Sequence, residues 1–389
     1  MAFFHNRAVN LFNLHFAIHS VAFLGGGAFY AVYLLQSGLS VPAVLIAMGS
    51  AQAIRFFIRP AVIVFAARFG LRQTLITGTL LMACQYPLLA EVSGLGAALY
   101  ALIAVTAVSD VFYWTSYHTT FARLGDDEHR GSQIGVQQAS MALVGIFSPL
   151  LSGWLLVTFG PRVAFDTSGV IVVLSTLPML WTPNLKVARR LPGAFRDALQ
   201  VTLVLQGADG FMAAGIVFVW QIALFLSLGS SYLNYGGALA LAAVVGAAGS
   251  LVLGRFVDLG HGVRMVWLSV GVFAAAVVVR ALAVGDPVLA VAANALSPLA
   301  AALYTPVNMT PVYVRAKRSA CPLRFHVAME GAWDAGNVTA CLLSAGLIAA
   351  GLSLQWAILL SLVGLALCFV LLRRYFLAYP AAALAPMEA

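Results

Sequence analysis

Apolar stretches follow one another along almost the whole chain, each about the length that crosses ~30 Å of hydrocarbon as a helix. Polar residues collect in the short connections between them. The pattern predicts twelve membrane-spanning helices, near residues 11–35, 42–66, 72–93, 96–121, 133–158, 162–182, 197–228, 233–256, 264–284, 288–313, 326–350 and 353–376. The expected fold is therefore all-α and membrane-embedded, with no stretch left over for a soluble catalytic domain.

Composition agrees. Hydrophobic residues make up 62% and charged residues 9% of the chain, whereas a soluble domain carries about 25% charged residues. The net charge of +8 would suggest nucleic acid in a soluble protein. Here the cations sit in short loops, where topology and anionic headgroups account for them, so no nucleic-acid partner is expected. Cys84, Cys321, Cys341 and Cys368 show neither CxxC nor zinc spacing, so neither a disulfide framework nor a metal centre is expected. The polar start and the long first span argue against a cleaved signal.

Loop charges set the orientation. One face collects Arg7, Arg68, Arg72, Arg123, Arg130, Lys186, Arg189, Arg190, Arg196, Arg255, Arg264, Arg315, Lys317, Arg318, Arg324, Arg373 and Arg374. The other holds essentially Arg162, with Arg280 within snorkelling reach. The positive-inside rule then puts both termini in the cytoplasm. The longest connection, 183–196, divides the chain into a first half, 1–182, and a second, 197–389, of six spans each. The halves echo each other: Tyr113 in span 4 answers Tyr304 in span 10. Such repeats are typical of secondary transporters.

Three short stretches sharpen this reading. After span 8 comes Gly254-Arg-Phe-Val-Asp258-Leu-Gly-His-Gly-Val-Arg264, and the matching stretch of the first half runs Ala67-Arg68-Phe69-Gly70-Leu71-Arg72. The third is Glu128-His-Arg130-Gly131-Ser-Gln-Ile-Gly135, followed by the small-residue series Gly145, Pro149 and Gly153. On these the chain resembles the major facilitator superfamily over essentially its whole length. It departs from the family pattern at Ala67, where an Asp is wanted. The resemblance implies two pseudo-symmetric six-helix halves, spans 1, 4, 7 and 10 lining a central cavity, and spans 2, 5, 8 and 11 at the interface between halves. It also implies gating roles for Arg68, Gly70, Arg72, Arg130, Gly131, Gly254, Asp258 and Arg264.

Ionisable groups at bilayer depth are costly and so are functional candidates. Arg55 and Arg59 lie four apart on one stripe of span 2, with Asp110 on span 4 as the nearest counter-ion. One acid cannot neutralise two cations, so one guanidinium is expected to serve an anionic substrate or a second-half acid such as Asp334. Asp209 on span 7 has no obvious partner and suits a proton carrier. Glu330 and Asp334 share a face of span 11. Tyr113, Tyr117, Trp220 and Trp333 can stack a ligand, and Asn308 offers an amide. His15, His19 and His118, with Met212 and Met309, offer an alternative soft-metal path.

The function these features point to is a secondary active transporter moving a small solute by alternating access, coupled to an ion or proton gradient. The paired arginines weakly favour an organic anion or zwitterion. A copper-type metal importer and a drug or metabolite exporter are the alternatives within the same fold. An intramembrane enzyme, a channel or a receptor would be a different class. No nucleotide-binding GxxxxGK[ST] is present, and no cofactor is called for. The scarcity of Lys beside Arg points to a bacterial inner membrane, with the protein acting as a monomer.

Overall fold

The computed structural model describes residues 6–124, 130–187, 201–257, 262–319 and 321–378. Among them the chain forms helical rods only, and these fall on the predicted spans. They are α1 (Arg7–Gln36), α2 (Val41–Phe69), α3 (Leu71–Ala90), α4 (Ala97–Leu124), α5 (Arg130–Thr158), α6 (Gly160–Trp181), α7 (Val201–Ala213 running on to Trp220–Ser227), α8 (Tyr232–Val257), α9 (Val263–Leu282), α10 (Pro287–Arg318), α11 (Pro322–Ala349) and α12 (Leu354–Ala378). Ten of these are long and apolar enough to cross a bilayer on those grounds alone. The other two are α3, diluted by Arg72, threonines and glutamine, and α11, which carries Arg324, Glu330 and Asp334. The protein is an integral, multi-pass membrane protein.

Local signals explain where the rods begin and bend. Ser40 caps α2, its side chain accepting from the Ala43 amide, and Pro42 occupies the first turn. Asp286 caps α10 by accepting from the Val288 and Leu289 amides at 2.9 Å each. Two rods are not regular throughout. α1 breaks after Leu24 into a 3₁₀ turn at Gly26–Phe29, where Gly25, Gly26 and Gly27 weaken the helix. α7 passes through a π turn at Ala214–Val219. The turn is held from outside: Arg280 on α9 donates to Ile216 O at 2.9 Å, and its guanidinium lies 4.9 Å from the Trp220 ring. Arg280, within snorkelling reach by sequence, instead supports the distorted stretch of α7.

The packing repeats with an offset of six. In the first half α3 packs on α4 and α6, α2 on α4, and α1 on α5 and α6. In the second, α9 packs on α10 and α12, α8 on α10, and α7 on α11 and α12. The fold is thus two pseudo-symmetric six-helix halves. They meet along α2–α11 and α5–α8. The small-residue series of α5 lies on the second seam: a Cβ on Gly153 would come within 2.8 Å of Tyr232 O. At the end remote from the termini, Tyr235 OH on α8 donates to Ala28 O of α1 at 3.2 Å, and Phe29 meets the Tyr232 and Tyr235 rings edge-on. The outer surface is apolar, with Trp267, Leu282, Val363 and Leu367 exposed, as hydrocarbon rather than water requires.

The segment after α6 is tied to the first half. Leu71 N donates to Leu185 O at 2.9 Å, Arg72 Nη1 to Thr182 O at 2.9 Å, and Arg123 Nη1 to Lys186 O at 2.8 Å. Gly70 adopts φ +92°, and a Cβ there would lie 2.1 Å from Asn184 Oδ1, so the turn admits no side chain. Leu185 and Val187 pack on Ile63, Ala66, Leu323 and Val327. The remainder of the expected linker, 188–196, lies outside the described residues.

Candidate functional site

Five charged side chains converge where α2, α4 and α11 meet at mid-length. The four-residue spacing of Arg55 and Arg59 points both guanidinium groups inward from one stripe of α2. Arg55 Nη1 lies 3.1 Å from Asp110 Oδ2, and Arg55 Nη2 lies 3.2 Å from Asp334 Oδ1. Arg59 donates through Nε to Asp334 Oδ2 at 3.0 Å, and through its Nη atoms to Glu330 Oε2 and Asp334 Oδ2. Thr115 Oγ1 accepts from Arg59 Nη1 at 3.1 Å and donates to Glu330 Oε2 at 3.0 Å. The Arg59 and Asp334 side chains are 1% and 0% exposed, while those of Asp110 and Glu330 each keep 20%. The network therefore has a sealed centre and a more accessible rim.

Two cations face three carboxylates, two of which come from the second half. The shortage of acids expected from the first half alone is made up across the interface. Neither guanidinium is left uncommitted, and the net formal charge of the cluster is −1.

A second polar group lies beside it. Asp209 on α7 is half-buried, and all three of its hydrogen-bond donors are neutral. Its Oδ1 accepts from Asn308 Nδ2 at 2.9 Å and Tyr304 OH at 3.3 Å, both on α10, and its Oδ2 accepts from Trp333 Nε1 on α11 at 3.2 Å. The Trp333 ring is also 6.0 Å from the Arg55 guanidinium carbon. This one indole thus touches both groups. Close helix packing makes that possible: a Cβ on Gly210 would sit 2.1 Å from Trp333 O, and one on Gly336 would sit 1.9 Å from Gly207 O.

The remaining candidates lie elsewhere. His15 and His19 are buried inside the first half. His15 Nδ1 donates to Ser175 O at 2.7 Å, and His19 Nε2 lies 2.9 Å from Met82 Sδ. Tyr113 stacks on His19 at 4.2 Å, and Tyr117 on Phe12 at 4.9 Å. These tyrosines are packed within the first half, away from the charged cluster. His118 is exposed and its ring is 6.2 Å from His326 of the second half. Arg68 is exposed with its guanidinium over Phe69, and Arg264 is exposed in the first turn of α9. Gly131 and Arg130 lie in the first turn of α5 and Gly254 near the end of α8. Asp258 and His261 lie outside the described residues. Among the described residues no three His, Cys, Asp or Glu side chains are arranged to hold a metal ion, and the four cysteines are free.

Sequence reasoning missed Thr115 and the indole N–H of Trp333 as members of these sites. A threonine on an apolar helix and an indole carry no signal of their own. Their roles arise only when α11 is laid against α2, α4 and α7.

Comparison with known proteins bears on the whole chain. The family model described as Major Facilitator Superfamily matches residues 11–206, and no curated protein matches by sequence. A crystal structure of an auto-inhibited POT-family peptide transporter superposes with a TM-score of 0.68 over 98% of each chain, at 14% identity. It is one of 247 solved chains that match, so the likeness shows the fold and assigns no substrate.

Proposed function

The chain belongs to the major facilitator superfamily and is a membrane transporter of that fold; from there we propose that it moves a small solute by alternating access. The two halves rock about the charged cluster, and an ion gradient, with the proton as the coupling ion, or the solute's own gradient drives the cycle. Both termini face the cytoplasm, a reading the loop charges support; the membrane is a bacterial inner membrane, which the scarcity of Lys beside Arg supports, and one copy of the chain suffices. The observation that carries this reading is the ion-pair network joining Arg55 and Arg59 of the first half to Glu330 and Asp334 of the second.

Charges buried at this depth are stable only while paired. A network spanning the seam therefore favours one arrangement of the halves. Parting them requires that its carboxylates acquire another partner, either a proton or a positively charged group. With three carboxylates to two guanidinium groups, the cluster can take up one positive charge without an unmatched cation appearing. Neutralising Glu330, on the accessible rim, weakens the clamp between the halves first, whereas Asp110 pairs only with Arg55 of its own half. The cluster is thereby suited to couple ion uptake to the rocking of the halves. The peptide transporter's substrate is not carried over to a chain 14% identical to it.

The test is solute exchange in proteoliposomes, read as solid-supported-membrane currents across amines, amino acids, sugars and organic anions. Wild type should exchange at least one class, and Arg59→Met should abolish the current while the protein still inserts. Glu330→Gln should permit exchange but lose accumulation driven by a pH gradient. Full exchange by an Arg55→Ala/Arg59→Ala protein would sink the proposal.

A further inference from the structure

Resting on the transporter reading, we infer that Asp209 and its surroundings form a recognition site for an organic ammonium ion. The charge balance comes first. Asp209 is a carboxylate at bilayer depth, and among the described residues no lysine or arginine pairs with it. Its three partners, Asn308, Tyr304 and Trp333, are all neutral. The nearest guanidinium along the chain of contacts, Arg55, is already committed to Asp110 and Asp334. Together the two groups hold four carboxylates and two guanidinium groups, a net formal charge of −2. An entering anion meets repulsion there, and a cation meets attraction. This reverses the preference that the paired arginines suggested from sequence.

The second observation is independent of charge. Asn308 is 3% exposed, its Nδ2 donates to Asp209, and its Oδ1 has no hydrogen-bond partner. A buried acceptor left unsatisfied costs about 1–3 kcal/mol. The amide oxygen lies one amide width from the nitrogen that holds Asp209, so two acceptors converge on one small region. A proton on Asp209 would satisfy the carboxylate, yet one atom of the Asn308 amide would remain unpaired whichever way that amide faces. A group with several N–H donors and a positive charge satisfies both. A primary ammonium has three such donors. The neighbouring rings suit its organic part: the Trp333 indole and the Tyr304 ring both reach the carboxylate, and Phe273 backs Tyr304 at 4.8 Å. Aromatic faces attract cations.

The experiment uses the purified full-length protein in detergent at neutral pH, titrated in a calorimeter with 2-phenylethylammonium. Phenylacetate and 2-phenylethanol, of similar shape but opposite or no charge, are the comparators. The ammonium should bind at least about tenfold more tightly than either. Asp209→Asn and Asn308→Leu should each weaken it about tenfold or more, while melting close to wild type without ligand. Should Asp209→Asn fail to fold, the charge preference of wild type still decides. No binding of the ammonium, equal binding of the alcohol, preference for the carboxylate, or unchanged affinity in a folded Asp209→Asn protein each overturns the site. Failure of the transporter reading looks different. An ammonium that binds but is never exchanged across proteoliposomes sinks transport and leaves the site. Exchange of anions only sinks the site and leaves transport.

Discussion

Removing the Arg59 guanidinium would leave the half-buried Glu330 without its ion-pair partner, while Asp334 would keep Arg55 at 3.2 Å. Breaking a buried pair from one side costs about 3–5 kcal/mol, so Arg59→Met should melt far below wild type. Glu330→Gln keeps an oxygen for Thr115 and removes the stranded charge. The double variant Arg59→Met/Glu330→Gln has the same net charge in the cluster as wild type, and it should recover a large part of the loss. Thermal denaturation in detergent reads this directly: a double variant no more stable than Arg59→Met would mean that the two side chains do not act as a pair. The stripe formed by Arg55 and Arg59 was legible in the sequence because helical periodicity is local. Asp110 was legible as a neighbour for the same reason. Asp334 was named as a possible second-half partner, with an anionic substrate as the alternative; what could not be read was the choice between them and the share taken by Glu330, since contacts 275 and 271 residues apart in the chain depend on how two halves dock. Asp209 was singled out by depth alone, and its ring of neutral donors became visible only in three dimensions.

Among the helices, α7 and α11 cross so closely that glycine is required at the contact. A Cβ on Gly210 would meet backbone at 2.1 Å, whereas one on Gly271 of α9 meets nothing within 4 Å. Gly210→Ala must therefore push α11 away, at a cost of about 1–3 kcal/mol for overpacking. It should also displace Trp333 from Asp209. Gly271→Ala should be neutral or slightly stabilising, since alanine is the better helix former by about 1 kcal/mol. Paired melting curves check both, and a Gly210→Ala protein as stable as Gly271→Ala would contradict the close crossing. Helix number and position were readable because hydrocarbon thickness dictates span length. The breaks in α1 and α7 were not read from the sequence, although three consecutive glycines mark the first. The support of the α7 turn, Arg280, comes from another helix, and loop-charge counting assigned that residue to the membrane surface instead.

At the level of the whole molecule, the loop charges set an orientation and the six-helix offset sets which seams open. If the arginine-rich face is cytoplasmic, cysteines placed at Gly38, Gly285 and Gly351 should react with an impermeant maleimide added outside intact cells. A cysteine at Lys186 should react only after lysis. Reversal of these patterns would refute the topology. The weak internal echo in the sequence pointed to two six-helix halves, because repeated packing constrains spacing more than identity. It could not say where the halves touch. That contact supplies the sharpest test of rocking. A Cβ added at Gly49 of α2 would lie 3.2 Å from the Cβ of the native Cys341 on α11, a few tenths of an ångström under the ~3.5–4.5 Å that a disulfide spans and within reach of a small helix shift. The single substitution Gly49→Cys therefore creates a cross-link between halves, on the side of Arg55 remote from the termini. Oxidation should join the two thiols, as peptide mass mapping would report, and should stop solute exchange. Reduction should restore it. If the halves separate at this seam once per cycle, a covalent bond between α2 and α11 cannot be tolerated. Undiminished exchange by a protein shown to be fully cross-linked would mean that transport proceeds without parting α2 from α11, and the rocking mechanism would fail.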